Sequence, residues 1–190
     1  MVLPLSFWCK LYRENVSNSL CLDIETEGIN KPITIICLYK PRDGIPEVIQ
    51  LVKGDNLSTD NLRQAFAVCK LLITFNGFYF DVPKIQKEFP GVIPNNFPII
   101  DLFRFAKMCG MKASFDTMEN TYGIERIDDY SKKKHIAVKL WKRYSSNSDM
   151  DALAKLLEYN KQDTINFIPS GRAAYWPRRE ANFSSYLGSK

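Results

Sequence analysis

Histidine is almost missing from this sequence. His135 is the only one in 190 residues, and no nucleophile motif stands beside it, so it reads as a surface residue rather than half of a catalytic pair. What the cysteines lack is pairing: Cys9, Cys21, Cys37, Cys69 and Cys109 form no Cys-x-x-Cys motif, and five is an odd count. That argues against a disulfide framework or a zinc ribbon. Cys21, Cys37 and Cys69 lie in apolar runs and read as buried free thiols of a reducing compartment. No run approaches the ~20 apolar residues of a membrane span. The start, "MVLPLSFWCK", has no basic leader and no long apolar stretch, so no signal peptide is expected. Nine glycines and ten prolines imply neither a linker nor a low-complexity tract, and no repeat is visible. The expectation is a soluble, intracellular, cytoplasmic protein.

What is present suits one folded domain with a short tail. The hydrophobic share is 45%, enough for a sizeable core. The expected limits are a domain over residues 1–168 and a polar, aromatic tail over 169–190. The net charge of +5 fits a nucleic-acid partner without demanding one. "SLCLDIE", "PITIICLYK" and "PEVIQLV" read as three strands, with "PRDG" as a turn, and together suggest an antiparallel meander. "LSTDNLRQAFAVCK" shows capping residues and then helical spacing through Leu62, Ala65, Phe66 and Cys69. "LLITFN" and "FPIIDLF" read as further strands. "FDVPKIQKEF", "ASFDTMENTYG", "KKHIAVKLWKRY" and "MDALAKLLEYNKQDTINF" read as helices, with Gly123 a stop. The order predicts an α/β fold: a mixed sheet with helices on its faces.

The first strand carries an oddity. In "SLCLDIETEG", Asp23 and Glu25 fall two apart, so both project from one face of the strand. Two carboxylates held together in a partly dry site repel, and each loses its charge or acquires a cation. In the last helix, Tyr159 and Asp163 are four apart and share a face. In "LLITFNGFYFDVPKI", Asp81 follows a strand and a glycine turn. Capping a helix would explain Asp81, but it would not explain Asn76 and Gly77 at the strand end, where binding residues are common. Glu27 reads as solvated, and Asp101 in "PIIDLF" as a helix cap or a supporting acid.

Taken in order, "LDIET", "FNGFYFDVP" and "YNKQDT" resemble the three motifs of the DEDDy exonucleases. These are DnaQ-like 3′–5′ exonucleases of the ribonuclease-H-like fold, which include proofreading domains of family B DNA polymerases. The stretch "IIDLFRFAKMCGMKASFDTMENTYGIERID" resembles stand-alone relatives more closely. A histidine-type third motif would have His at position 158, where this sequence has Glu158. The resemblance implies a ribonuclease-H-like mixed sheet, a three-strand antiparallel meander plus parallel strands, flanked by α-helices. It implies two divalent cations, Mg²⁺ or Mn²⁺, since hard oxygen ligands suit them. Asp23, Glu25, Asp81 and Asp163 are the implied ligands, with Tyr159 orienting the attacking water. Asn76 and Thr26 fall to substrate binding. The implied partner is single-stranded DNA or RNA, with room for a replication or repair protein beside it.

"SKKKHIAVKLWKRY" concentrates seven basic residues, counting His135, with Trp141 and Tyr144 among them. Lys133 and Lys134 stand as substrate-binding candidates on that ground. An amphipathic helix with a solvated lysine face accounts for the same stretch equally well. Two functions from other classes also stand: a nuclease-like binding or scaffolding module with little turnover, and a separate proofreading subunit of a polymerase.

Overall fold

Alternating burial makes the first strand a partition between two cores. In β1 (Ser19–Thr26), Leu20, Leu22 and Ile24 face one side, while Cys21, Asp23 and Glu25 face the other. The protein is known from a computed structural model, which describes residues 4–42, 46–67, 69–108, 110, 112, 114–124, 126 and 135–171. β1 is followed by β2 (Ile33–Lys40) and β3 (Glu47–Val52), and both neighbouring pairs are antiparallel, as the meander requires. β4 (Leu71–Thr74) joins β1 on its other edge in parallel, and β5 (Ile99–Asp101) joins β4 in parallel. The five-stranded order is β3-β2-β1-β4-β5, the mixed sheet expected from the sequence.

Helices cover both faces. α2 (Thr59–Phe66) and α3 (Asp81–Glu88) pack Leu62, Phe66, Val82 and Ile85 against Leu20, Leu22 and Ile24. α4 (Leu102–Met108) leaves β5 directly, and α5 (Phe115–Tyr122) is capped by Ser114 and stopped by Gly123 at φ 63°. α6 (Ile136–Asn147) and α7 (Met150–Ile165) pack as a pair against Ile35 and Val52 on the opposite face. The strands β1, β4 and β5 run parallel, so their carboxyl ends open on one edge, where ligands of open α/β sheets bind.

Three features differ from the sequence-based expectation. α2 stops at Phe66, and Cys69 lies outside it. There the Cys69 amide donates to the Phe66 carbonyl and its thiol to the Leu71 carbonyl, which closes the turn into β4. α6 starts only at Ile136, after His135 at φ 59°. Residues 132–134 lie outside the described residues, as does Cys109, and the four described cysteines are unbridged. The third difference is an extra helix, α1 (Leu5–Asn15), which the strand-first expectation omits.

α1 is held by an interaction far along the chain. The buried Tyr12 hydroxyl donates to the Ile168 carbonyl at 3.0 Å. Helical backbone over 167–171 brings Gly171 against the Tyr12 ring, where a Cβ would sit 2.9 Å from it. Trp8 and Leu11 pack with Tyr12, Phe167 and Ile168. Among the described residues no helix is long and apolar enough to cross a membrane. Tyr12→Phe keeps the ring and loses the bond, so unfolding free energy should fall by about 0.5–1.5 kcal/mol. Urea titration followed by tryptophan fluorescence measures this, and an unchanged midpoint would show that packing alone holds α1.

Candidate metal centre

The site assembles where three elements meet at the carboxyl end of β1. β1 supplies Asp23 and Glu25, on the face that α7 covers. One oxygen each from Asp23, Glu25 and Asp163 lies within 4.8 Å of the other two. Asp81 starts α3, and its Oδ1 accepts from the Ile24 amide at 3.1 Å. Asp81 is therefore fastened to the backbone between Asp23 and Glu25 as well as to its own amide at the start of α3. Gly77 makes this possible: a Cβ there would lie 2.7 Å from Thr74 Cβ and 3.0 Å from Asp81 Oδ2. Tyr159 and Asp163 share one face of α7, as their spacing predicted, and interaction with the Tyr159 hydroxyl helps hold Asp163 ionised.

Two residues that the sequence analysis did not single out complete the cluster. Asn160 is fully buried and its Nδ2 donates to Asp23 Oδ2 at 2.5 Å. Arg126 pairs with Asp163 and with Glu119, the latter at 2.7 Å, and all three side chains are nearly inaccessible. The second oxygen of Glu119 accepts from Asn166 at 2.8 Å. The Arg126 guanidinium lies 5.4 Å from the Phe115 ring centroid and 5.9 Å from that of Tyr159. No periodicity marks Arg126 in "GIERID". Asn160 sits beside Tyr159 in "YNKQD", and its only signal is an amide on a helix face that is otherwise packed.

The remaining candidates fall around this centre. Thr26 is buried at the end of β1, where its hydroxyl donates to the Gly28 carbonyl at 2.9 Å and closes the turn. Asn76 is exposed at φ 60°, and its amide donates to Asp101. Asp101 is buried and holds backbone amides, the capping and supporting place expected for it. Glu27 is bound by Lys53 at 2.7 Å and by Trp141, away from the acid trio. Lys133 and Lys134 lie outside the described residues. In α6, Ala137, Leu140 and Trp141 are core while Lys139, Lys142 and Arg143 are exposed. His135 is exposed, and with Glu25, Thr26 and Tyr159 it lines a cleft of about 270 Å³.

The electrostatics show what the cluster lacks. Burial, then repulsion from Asp81, Asp163 and Glu25, holds Asp23 well above the usual carboxylate range. Burial and the Asp163 and Asp81 charges push Glu25 up to about 8. Burial raises Asp81 to about 7. It also raises Asp163 to about 6, against the opposing pull of Arg126. Arg126, paired with Asp163, is the cation that opposes this repulsion. A partly buried group of carboxylates with so little compensation fits a divalent cation, and an all-oxygen donor set favours a hard one.

An α/β domain with an acidic centre at the carboxyl edge of a mixed sheet is an architecture that nucleases use. Residues 20–169 match the model of the RNase H superfamily, and the chain belongs to that superfamily. Its members are usually nucleases, hydrolases that use divalent cations, so nucleic acid is the implied partner. Neither the curated proteins nor the solved structures give a significant match to this chain.

Two predictions follow from the charge balance. Raised carboxyl values favour the folded state only while the protons stay on, so this stability is complete below the ordinary range of about 4. It is lost as pH rises through about 6 to 8, the values of Asp163, Asp81 and Glu25. The metal-free melting temperature should therefore fall across that interval, and Mg²⁺ or Mn²⁺ should restore most of it. Asp23→Asn should flatten the fall and abolish most of the metal-induced rise in differential scanning fluorimetry. A metal-free profile that is flat in the wild type would refute this. The second concerns Arg126. Arg126→Gln leaves Glu119 and Asp163 without their buried cation, and should cost about 3–5 kcal/mol in metal-free protein. Saturating Mn²⁺ should recover part of that loss, because it compensates Asp163 but not Glu119.

Proposed function

We propose that this chain is a 3′–5′ exonuclease of the DEDDy type that removes nucleotides from single-stranded DNA or RNA. The observation that carries the reading is the approach of Asp23, Glu25 and Asp163 within 4.8 Å, with Asp81 and Tyr159 beside them. Divalent cations held by Asp23, Glu25, Asp163 and Asp81 would supply water activation and charge neutralisation at phosphorus. Water attacks the phosphorus of the last phosphodiester, the bond to the upstream 3′ oxygen breaks, and that oxygen takes up a proton. The product is a nucleoside 5′-monophosphate.

Tyr159 acts here as a hydrogen-bonding group and not as a base. Burial and the Asp163, Glu25 and Asp23 charges push its phenol further up from an already high value, so it keeps its proton. The hydroxyl orients the attacking water, while Asn160 fixes the rotamer of Asp23 through its amide. Asn76 and Thr26 flank the terminal nucleotide, and Lys133 and Lys134 take phosphates of the incoming strand.

One observation favours a second reading, a nucleic-acid-binding module with little turnover: Asp163 already has a cation in Arg126. A site that works without metal needs such a pair. End-labelled single-stranded DNA and RNA of equal sequence, incubated with Mg²⁺ or Mn²⁺, separate the two. The exonuclease shortens the strands progressively from the 3′ end, and Asp163→Ala abolishes this. Binding without shortening establishes the module. Under the exonuclease reading, Tyr159→Phe should slow hydrolysis by about 10²–10³, by analogy with other preorganised hydrogen-bonding groups. A variant matching the wild type across pH would reduce Tyr159 to a core residue.

A further inference from the structure

Asp101 ends β5 and makes four hydrogen bonds to backbone amides. Its Oδ1 accepts from Asn76 at 3.0 Å, Phe103 at 3.0 Å and Arg104 at 3.3 Å. Its Oδ2 accepts from Phe78 at 3.0 Å. One buried carboxylate thereby fastens the turn after β4 to the first turn of α4. On the outside of this junction stand Phe78 and Tyr79, 42% and 66% exposed. Their ring centroids are 5.2 Å apart and their planes cross at 85°. The Arg104 guanidinium lies 4.9 Å from the Phe78 centroid and 5.7 Å from that of Tyr79. Lys107 follows on the same helix, 4.3 Å from the Phe103 ring.

Two large aromatic rings exposed side by side are unusual on a surface without a partner. The positive groups around them identify the partner's chemistry: it must be anionic and must also present flat apolar faces. A single strand of nucleic acid has both, whereas a duplex keeps its base faces stacked inside. The crossed planes set the number. A base lying on one ring meets the edge of the other, so the corner has room for one base and not for a continuous stack. Tyr79 stands two residues before Asp81, which places this corner on the same turn as the acid cluster.

We propose that Phe78 and Tyr79 form a seat for one unpaired nucleobase of a single strand, with Arg104 pairing a phosphate beside it. The seat takes its ligand class from the nuclease function proposed above but not from hydrolysis itself. Asp101 is the positioning residue, because it sets the turn and the arginine in one frame.

The test is a walk of single abasic sites. Asp23→Asn protein with Mg²⁺, and wild type with Ca²⁺, are titrated by fluorescence anisotropy with short 5′-labelled strands. Each strand carries one abasic residue at a successive position from the 3′ end. One position should weaken binding by about 5- to 150-fold, the range of a single base–aromatic stack. Phe78→Ala/Tyr79→Ala should weaken the intact strand by a similar factor and erase the dependence on position. Arg104→Gln should weaken intact and abasic strands alike and reduce the salt slope by about 0.7. Mn²⁺ affinity should be unchanged in these variants, since both rings and Arg104 are exposed. The seat is overturned if no position matters, if the double variant keeps the wild-type profile, or if neither protein binds the strand. Strand shortening by the wild type is scored separately: its absence with an intact walk removes the exonuclease reading and leaves the seat.

Discussion

The repulsion among four carboxylates, Asp81 buried and Asp23, Glu25 and Asp163 partly buried, is the constraint on which the rest of this structure depends. Asp23, Glu25, Asp81 and Asp163 are brought together at the end of one strand with Arg126 as their main cation. Isolated charges in such surroundings are costly, and the protein meets that cost partly by raising the carboxyl values and partly with fixed donors. Asn160 donates to Asp23, the Ile24 amide donates to Asp81, and Arg126 takes Asp163. None of these removes the charge of Glu25, whose value burial and the neighbouring Asp163 and Asp81 push up to about 8. The surplus is what makes the centre receptive to a cation, and the fixed donors are what keep the acids aimed while it is absent.

The scaffold around the acids is built to resist their repulsion. β1 is the middle of five strands, bonded to β2 on one side and β4 on the other. Apolar residues of α2 and α3 clamp one face, and α6 with α7 clamp the other. The irregularity in register between Glu25 and Thr26 falls where the strand leaves the sheet. Bulges at such places re-aim side chains. α1 adds a brace at the back, because Tyr12 binds the chain just beyond α7, the helix that carries Tyr159 and Asp163.

Asp101 shows how one acid serves differently from its neighbours. It lies at the same sheet edge as the acid cluster, yet its two oxygens are engaged by four backbone amides. Its bonds fix the turn that leads to Asp81, and so govern both the acidic centre and the exposed aromatic corner. Acids of one sheet edge therefore divide between holding charge and holding backbone, and the number of donors each one meets decides which.

Much was legible in the sequence, for a physical reason. Strand alternation places Asp23 and Glu25 on one face, helical spacing does the same for Tyr159 and Asp163, and the apolar runs predict the meander and the helices. Such patterns are local, set by repeats of 2 and 3.6 residues. Motif order then supplied what spacing could not, the expectation that Asp81 joins them. Only the tertiary structure decided the rest. Asn160 meets Asp23 across 137 positions, Tyr12 meets Ile168 across 156, and Arg126 meets Asp163 across 37. Those contacts depend on how helices and strands dock, which no short-range period records. The same docking made Asp81 a partner of the Ile24 amide, and set Phe78, Tyr79 and Arg104 together at one corner.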